Sequence, residues 1–199
     1  GKTTTVRMFS EEFRQFLSFN LENKEDRDVF EQDLPFEKLI QAVFFMRNKN
    51  AREPSTLIFI DEIQTSPKAV ASLRFFAEER PDLAVVAAGS LLEVVIDRYT
   101  VSFPVGRVEF MYLFPASFEE YLGVFGNESV NEAYRTVPVP EYAHETLLSL
   151  FHEYTLIGGM PEVVRRYGES KDLNALGPVY ESLLTSYIDD AAKYSSRSL

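Results

Sequence analysis

Two short stretches of the sequence contain residue types that could handle phosphate and a divalent metal. The first is Gly1-Lys2-Thr3-Thr4, which matches the end of a phosphate-binding loop of the form G-x-x-x-x-G-K-[ST] followed by a helix. In such a loop the glycine lets backbone amides face the phosphates, Lys2 reaches the β- and γ-phosphates, and the Thr3 hydroxyl ligates Mg²⁺. The N-terminus of the following helix adds a favourable dipole. These four residues are therefore predicted to bind nucleotide.

The second stretch runs from Leu57 to Gln64, where four consecutive apolar residues lead into Asp61 and Glu62. A continuous apolar run is typical of a strand that is buried on both faces of a parallel sheet. The C-terminal end of such a strand is where ligands bind in open α/β sheets. We therefore predict that Asp61 organises Mg²⁺ and that Glu62 activates water. The alternative is a strand that simply ends in a polar turn.

A serine and one of two arginines could complete a site for hydrolysis of a phosphoanhydride. The apolar stretch 83–88 predicts a strand that ends at Gly89-Ser90, so the Ser90 hydroxyl would emerge at the same sheet edge as Asp61. Its alternative role is to cap a helix over 91–96. Arg107 is a candidate for an arginine supplied to the γ-phosphate by this chain or by a neighbour, and Arg74 is a weaker one. A surface salt bridge is the alternative for both arginines.

The periodicity of the sequence predicts a parallel α/β sheet in three layers over residues 1–115 and a helical region over 116–199. The region 116–199 would be a lid or a linker on the sheet domain. Residues 20–33 are predicted to be a polar connection. The predicted strands are 16–21, the strand ending at Asp61, 83–88 and 108–114, and the predicted helices are 4–17, 35–47, 67–80, 117–125, 127–136, 141–156, 161–167 and 172–193.

Composition limits the classes of function. The 199 residues are 45% hydrophobic, so the chain can bury a sizeable core, and no run approaches about 18 uninterrupted apolar residues, so no membrane association is expected. The absence of Cys excludes a disulfide scaffold and fits a cytoplasmic location, which we predict. A net charge of −11 argues against a general nucleic-acid surface, because such binding depends on neutralising phosphates.

Several longer motifs together resemble one family. They are GKTT, LIFIDEIQ, AAGSLLE, SFPVGRVEF with LFPASFEEYL, and EYTLIGGMPEVV, and they extend over nearly the whole chain. The combination is similar to the prokaryotic AAA+-type ATPases that carry a C-terminal domain of unknown function. The resemblance implies a P-loop NTPase core, ATP, Mg²⁺ and hydrolysis, with Lys2, Thr3, Asp61, Glu62 and Ser90 at motif positions.

The chain departs from that family pattern at both ends. It lacks the first strand and the opening of the phosphate loop, and it stops before the extra domain, so we expect a fragment. The stretch 187–194 resembles the junction where that domain would begin. Three alternatives stay open: a nucleotide-dependent switch or scaffold with negligible hydrolysis, a nucleic-acid-dependent motor, and an α/β domain that binds no nucleotide. An unidentified protein partner is possible, and an arginine supplied in trans would require a homo-oligomer.

Overall fold

The sequence TLIFID forms the central strand of a three-stranded parallel sheet. The computed structural model describes residues 1–89 and 106–195. Its strands are β1 (Gln15–Asn20), β2 (Thr56–Asp61) and β3 (Ala84–Ala87), in the spatial order β1-β2-β3. All six residues of β2 are buried, whereas β3 is only partly covered by the described residues. The continuous apolar run thus forms the strand that the sequence predicts.

The main core lies on one face of this sheet. Leu17 and Phe19 of β1 are in register with Ile58 and Ile60 of β2, and these four side chains are inaccessible to solvent. Each such buried side chain contributes roughly 1.5–3 kcal/mol of transfer free energy. Alternation along β2 places Leu57 and Phe59 on the opposite face, where they too are fully buried. The central strand is therefore covered on both faces.

Four α-helices accompany the sheet in the described part of the first compact unit, Gly1–Tyr112. Three of them contribute apolar side chains to the same core cluster as β1 and β2. Two begin at side-chain caps: Asn23 accepts a hydrogen bond from the Glu25 amide, and Ser66 accepts one from the Ala69 amide. The helices are α1 (Lys2–Phe9), α2 (Lys24–Glu31), α3 (Phe36–Met46) and α4 (Pro67–Glu79), of which the last three line the core.

The prediction of one helix over 4–17 was wrong in its length. Helix α1 ends at Phe9, and Ser10–Glu12 form a turn of 3₁₀ helix. Phe13 is then extended, and Gln15–Asn20 pair with Thr56–Asp61. The aromatic residues keep their helical spacing past the end of the helix. The chain nevertheless forms a strand there, because pairing with β2 overrides the local helical preference.

The polar connection predicted over 20–33 contains a helix, α2. Val29 and Phe30 are the two apolar residues of this helix, and both are buried, so its apolar periodicity is too short to detect. Asn23 at the N-cap and the acidic residues Glu25 and Asp26 in the first turn are the signals that could have identified it. This helix lies beside the C-terminal end of β1, where the Asp26 carboxylate accepts a hydrogen bond from the Asn20 amide.

The strand predicted over 108–114 is absent. These residues form no regular structure, and within the described part of the chain no strand pairs with them. Met111 and Phe114 are 95% and 74% exposed. An apolar run predicts a buried strand only where the sheet offers an edge to pair with, and the sequence pattern does not contain that information. The helix over 91–96 that Ser90 would cap lies outside the described residues.

The second compact unit, Leu113–Leu199, is helical in its described part. Ser117 and Glu120 form a capping box at the start of its first helix, as the sequence predicts. Gly158, with φ of +66°, ends the fourteen-residue helix before the break at Gly159. The helices are α5 (Phe118–Phe125), α6 (Glu128–Arg135), α7 (His144–Ile157), α8 (Pro161–Ser170) and α9 (Gly177–Ser195).

These elements confirm the predicted fold class, an α/β fold with a parallel sheet and a helical C-terminal region. The predicted domain boundary at residues 115 and 116, and the assignment of the helical region as a lid or linker, stay predictions. Within the described residues, no helix combines the length and apolar character needed to cross a bilayer.

The contact between α2 and the end of β1 generates a stability prediction. Asp26 is buried, its Oδ1 pairs with Arg47 Nη2 at 2.5 Å, and Arg47 Nε donates to the Ser18 carbonyl at 2.9 Å. We expect Asp26→Ala to lower the free energy of unfolding by about 2–4 kcal/mol, because it leaves a largely buried guanidinium without its partner. Urea denaturation measures this change.

The matched control is Asp28→Ala in the same helix. Asp28 pairs with Lys24, and both side chains are at least half exposed, so the expected loss is below about 0.5 kcal/mol. Equal losses of unfolding free energy for the two substitutions would contradict the expectation that the buried pair contributes more to stability.

A second stability prediction concerns Gly159. A Cβ atom at this buried residue would lie 2.0 Å from the Ala116 carbonyl oxygen, and the Ala116 amide donates to the Gly159 carbonyl at 2.7 Å. We expect Gly159→Ala to cost at least about 3 kcal/mol, since backbone cannot yield as a flexible side chain does. At Gly123, within α5, a Cβ meets nothing within 4 Å, so Gly123→Ala should stabilise the chain by about 0.5–1 kcal/mol. Thermal unfolding of both variants tests the pair.

Candidate functional site

A hydrogen bond joins the two sequence motifs across 58 positions. The Thr3 hydroxyl donates to Asp61 Oδ2 at 2.8 Å, so the first turn of α1 lies at the C-terminal end of β2. Asp61 is 9% exposed, and a carboxylate so nearly buried needs donors around it. The structure therefore brings together the two residues predicted to organise Mg²⁺.

Glu62 follows in a left-handed backbone conformation, with φ of 53° and ψ of 40°. Such a conformation in a non-glycine residue costs of order 1–3 kcal/mol and persists only where its surroundings fix it. Here the Glu62 amide donates to Asp61 Oδ1 at 3.2 Å, and the Glu62 carbonyl accepts from the amide and hydroxyl of Thr65. The chain thus turns sharply directly after the strand.

The ends of the neighbouring strands hold this turn from both sides. The Leu21 amide, directly after β1, donates to the Asp61 carbonyl at 3.0 Å. On the other side the Ile63 amide donates to the Ala88 carbonyl at 3.0 Å. Both acidic residues are consequently fixed at the C-terminal edge of the sheet, the edge at which open α/β sheets bind ligands.

The other predicted nucleotide-binding residues lie at the start of α1. Gly1 is its N-cap, and Lys2 and Thr4 are exposed in its first turn. The first amides of a helix have no intrahelical acceptor, so they can donate to an anion. With Thr3 on Asp61, this turn places a lysine and backbone donors beside the buried carboxylate. A lysine and free amide donors are groups that can hydrogen-bond to a phosphate.

The donor set also fits Mg²⁺. Hydroxyl and carboxylate oxygens are hard ligands, and Mg²⁺ is commonly bound by one or two protein groups together with phosphate oxygens and water. Across residues 1–89 and 106–195, no group of three or more His, Cys, Asp or Glu side chains forms a metal cage. Thr3 and Asp61 could hold this cation together with a phosphate ligand and water.

Arg107 is not brought to Asp61 in this structure. Its Nε donates to Glu78 Oε1 at 3.0 Å, and the second candidate, Arg74, donates to the same oxygen. The hydrogen bond from Arg74, aided by the charge of Arg107, lowers the pKa of Glu78 from its ordinary value. Glu78 lies near the end of α4, about 17 Å along the helix from Pro67, and therefore far from the turn after β2.

Ser90 lies outside the described residues, so its predicted role stays a prediction. Ala88, two positions earlier, is hydrogen-bonded to both Ile60 and Ile63. The site also contains two polar residues to which the sequence analysis assigned no role. Gln64 donates to the Glu62 carboxylate, and Thr65 donates to the Glu62 carbonyl. Their position directly after the two acids was the available signal, but strand periodicity does not predict contacts beyond a sharp turn.

The Thr3 contact can be tested without any ligand. We expect Thr3→Val to lower the free energy of unfolding by about 1–2 kcal/mol, because a largely buried carboxylate loses a donor while side-chain shape is kept. Thr4→Val, at the adjacent exposed position of α1, should change it by less than about 0.5 kcal/mol. Urea denaturation of the two variants measures the difference, and equal effects would contradict the Thr3–Asp61 bond.

Comparison with known proteins places the chain in a family. A family model described as an AAA domain matches residues 1–122, more than half of the chain. No curated protein and no solved structure gives a match. The matched region contains the sheet, α1 and both acidic residues of the candidate site. The chain therefore belongs to the AAA domain family of nucleotide-binding, ATPase-type proteins.

Proposed function

We propose that this protein binds ATP with Mg²⁺ and hydrolyses it to ADP and phosphate. The observation that carries the proposal is the 2.8 Å hydrogen bond between Thr3 and Asp61. It brings the end of a phosphate-loop motif to the carboxylate end of a buried strand, and neither motif by itself would be specific. Membership of the AAA domain family supports the same activity.

The proposed roles follow from the positions of the side chains. Lys2 and the first-turn amides of α1, including that of Thr4 after Gly1, bind the phosphates and offset charge that develops on them. Thr3 and Asp61 would hold Mg²⁺. Bound Mg²⁺ supplies further charge neutralisation at the phosphate oxygens.

Glu62 is the proposed general base. Its carboxylate follows Asp61 directly and lies on a turn whose backbone is fixed by hydrogen bonds. It would orient a water molecule and accept its proton as the oxygen attacks the γ-phosphorus, while the β–γ bond breaks and ADP leaves. Ser90 is proposed to help position that water.

We do not include Arg107 in the proposed centre of the same chain, since its guanidinium pairs with Glu78 near the far end of α4. Its supply to a neighbouring copy stays a prediction. Two measurements distinguish the alternatives: a switch would bind ATP without turnover, and a nucleic-acid motor would show turnover stimulated by DNA or RNA.

The central test replaces Glu62 in the full-length protein. We expect Glu62→Gln to keep its affinity for Mg-ATP within about threefold, because no phosphate or metal ligand is lost. Turnover should fall by about 10²–10³-fold, because the proton acceptor is removed. Isothermal titration measures binding, and release of inorganic phosphate measures turnover.

The control is Glu79→Gln at the exposed end of α4, which should leave both quantities unchanged. Unchanged phosphate release in the Glu62 variant would remove Glu62 as the base. Failure of the unsubstituted protein to bind Mg-ATP would overturn the whole proposal.

A further inference from the structure

The carboxylate of Glu62 is held by the side chain two positions later. Gln64 Nε2 donates to Glu62 Oε2 at 2.5 Å, and Gln64 is 6% exposed. A buried amide has few rotamers available once its surroundings are packed, so it is a more rigid donor than an exposed one. The contact therefore restricts where the Glu62 carboxylate can point.

The backbone beneath that carboxylate is restricted by a second set of bonds. The Thr65 hydroxyl donates to the carbonyls of both Glu62 and Leu21, at 2.9 and 3.1 Å. Since Leu21 directly follows β1, this hydroxyl ties the Glu62 turn to the neighbouring strand. The left-handed conformation of Glu62 is consequently held at its amide, its carbonyl and its carboxylate.

We propose that Gln64 is a positioning residue of the hydrolytic site, whose amide holds the Glu62 carboxylate in the orientation needed to activate water. The inference rests on the proposed ATP hydrolysis and adds to it a residue that touches neither phosphate nor metal. Gln64 acts through Glu62. The Glu62 side chain could adopt several orientations on this turn, and the hydrogen bond from the Gln64 amide favours one of them.

The physical basis is the steep dependence of proton transfer on geometry. A displacement of about 1 Å at a reacting group can cost on the order of 10²-fold in rate, even when every catalytic group is present. Removing the amide should therefore affect the chemical step and leave nucleotide binding intact. A merely structural Gln64 would instead affect stability and would act whether or not Glu62 is functional.

The test is a comparison of Gln64→Met in two backgrounds of the full-length protein. Methionine keeps the length of the side chain and removes the donor. In the natural background we expect kcat to fall by about 10- to 100-fold, with Mg-ATP affinity unchanged within about threefold. In the Glu62→Gln background the same substitution should change single-turnover hydrolysis by less than about twofold, because the group that Gln64 positions is already inactive.

Gln15→Met is the matched control. Gln15 also donates through its amide, to the Asn50 carbonyl and the Thr56 hydroxyl, but it lies at the opposite end of the sheet. This variant should keep the natural kcat. If Gln64→Met does not fold, Gln64→Asn makes the same comparison, because its shorter side chain withdraws the amide from Glu62.

The outcomes separate the two proposals. The positioning role would be overturned if a folded Gln64 variant kept the kcat of the unsubstituted protein. It would also be overturned if the hydrolysis rate fell by the same factor in both Glu62 backgrounds. Either result would leave the proposed ATP hydrolysis unaffected. Absence of Mg-ATP turnover in the unsubstituted protein would overturn both. A loss confined to the background that contains Glu62 supports the inference.

Discussion

A nearly buried carboxylate at the end of a fully buried strand must be surrounded by hydrogen-bond donors, and this requirement organises the first unit. Asp61 takes one donor from the Thr3 hydroxyl and one from the amide of Glu62. The first donor requires that α1 begin at this edge of the sheet, and the second requires that the chain turn immediately. The burial of TLIFID thus determines where the phosphate-loop motif and the second acid must lie.

The two adjacent acids are held by different parts of the fold. Asp61 is the last residue of β2 and is paired in register with Asn20, so its position follows from the sheet. Glu62 lies on a turn, and its position depends on side chains that come after it. The proposed metal ligand is therefore fixed by a strand, whereas the proposed base is oriented by neighbouring side chains.

The sequence predicted the parts of the fold that depend on strong local patterns. β2, α3 and α4 agree with their apolar runs and caps. The proximity of Thr3 to Asp61 agrees with the combination of a phosphate-loop motif and an apolar strand that ends in two acids. Helix α2 could not be detected from two buried apolar residues. The segment 108–114 is as apolar as a core strand but does not pair with the sheet in the described residues. The hydrogen bond between Gln64 and Glu62 depends on the left-handed backbone conformation of Glu62, which apolar periodicity does not predict.

Helix α2 forms hydrogen bonds with residues on both sides of the Glu62 turn. Its Asp26 accepts from the Asn20 amide, its Arg27 donates to the same Leu21 carbonyl that accepts from Thr65, and its Glu31 accepts from Ser66 at the start of α4. Local opening of this one short helix would therefore remove partners on both sides of the Glu62 turn at once. Proteins open in cooperative segments whose boundaries follow such shared contacts. The helix and the turn should accordingly exchange their amide hydrogens as one unit, although they lie in separate parts of the sequence.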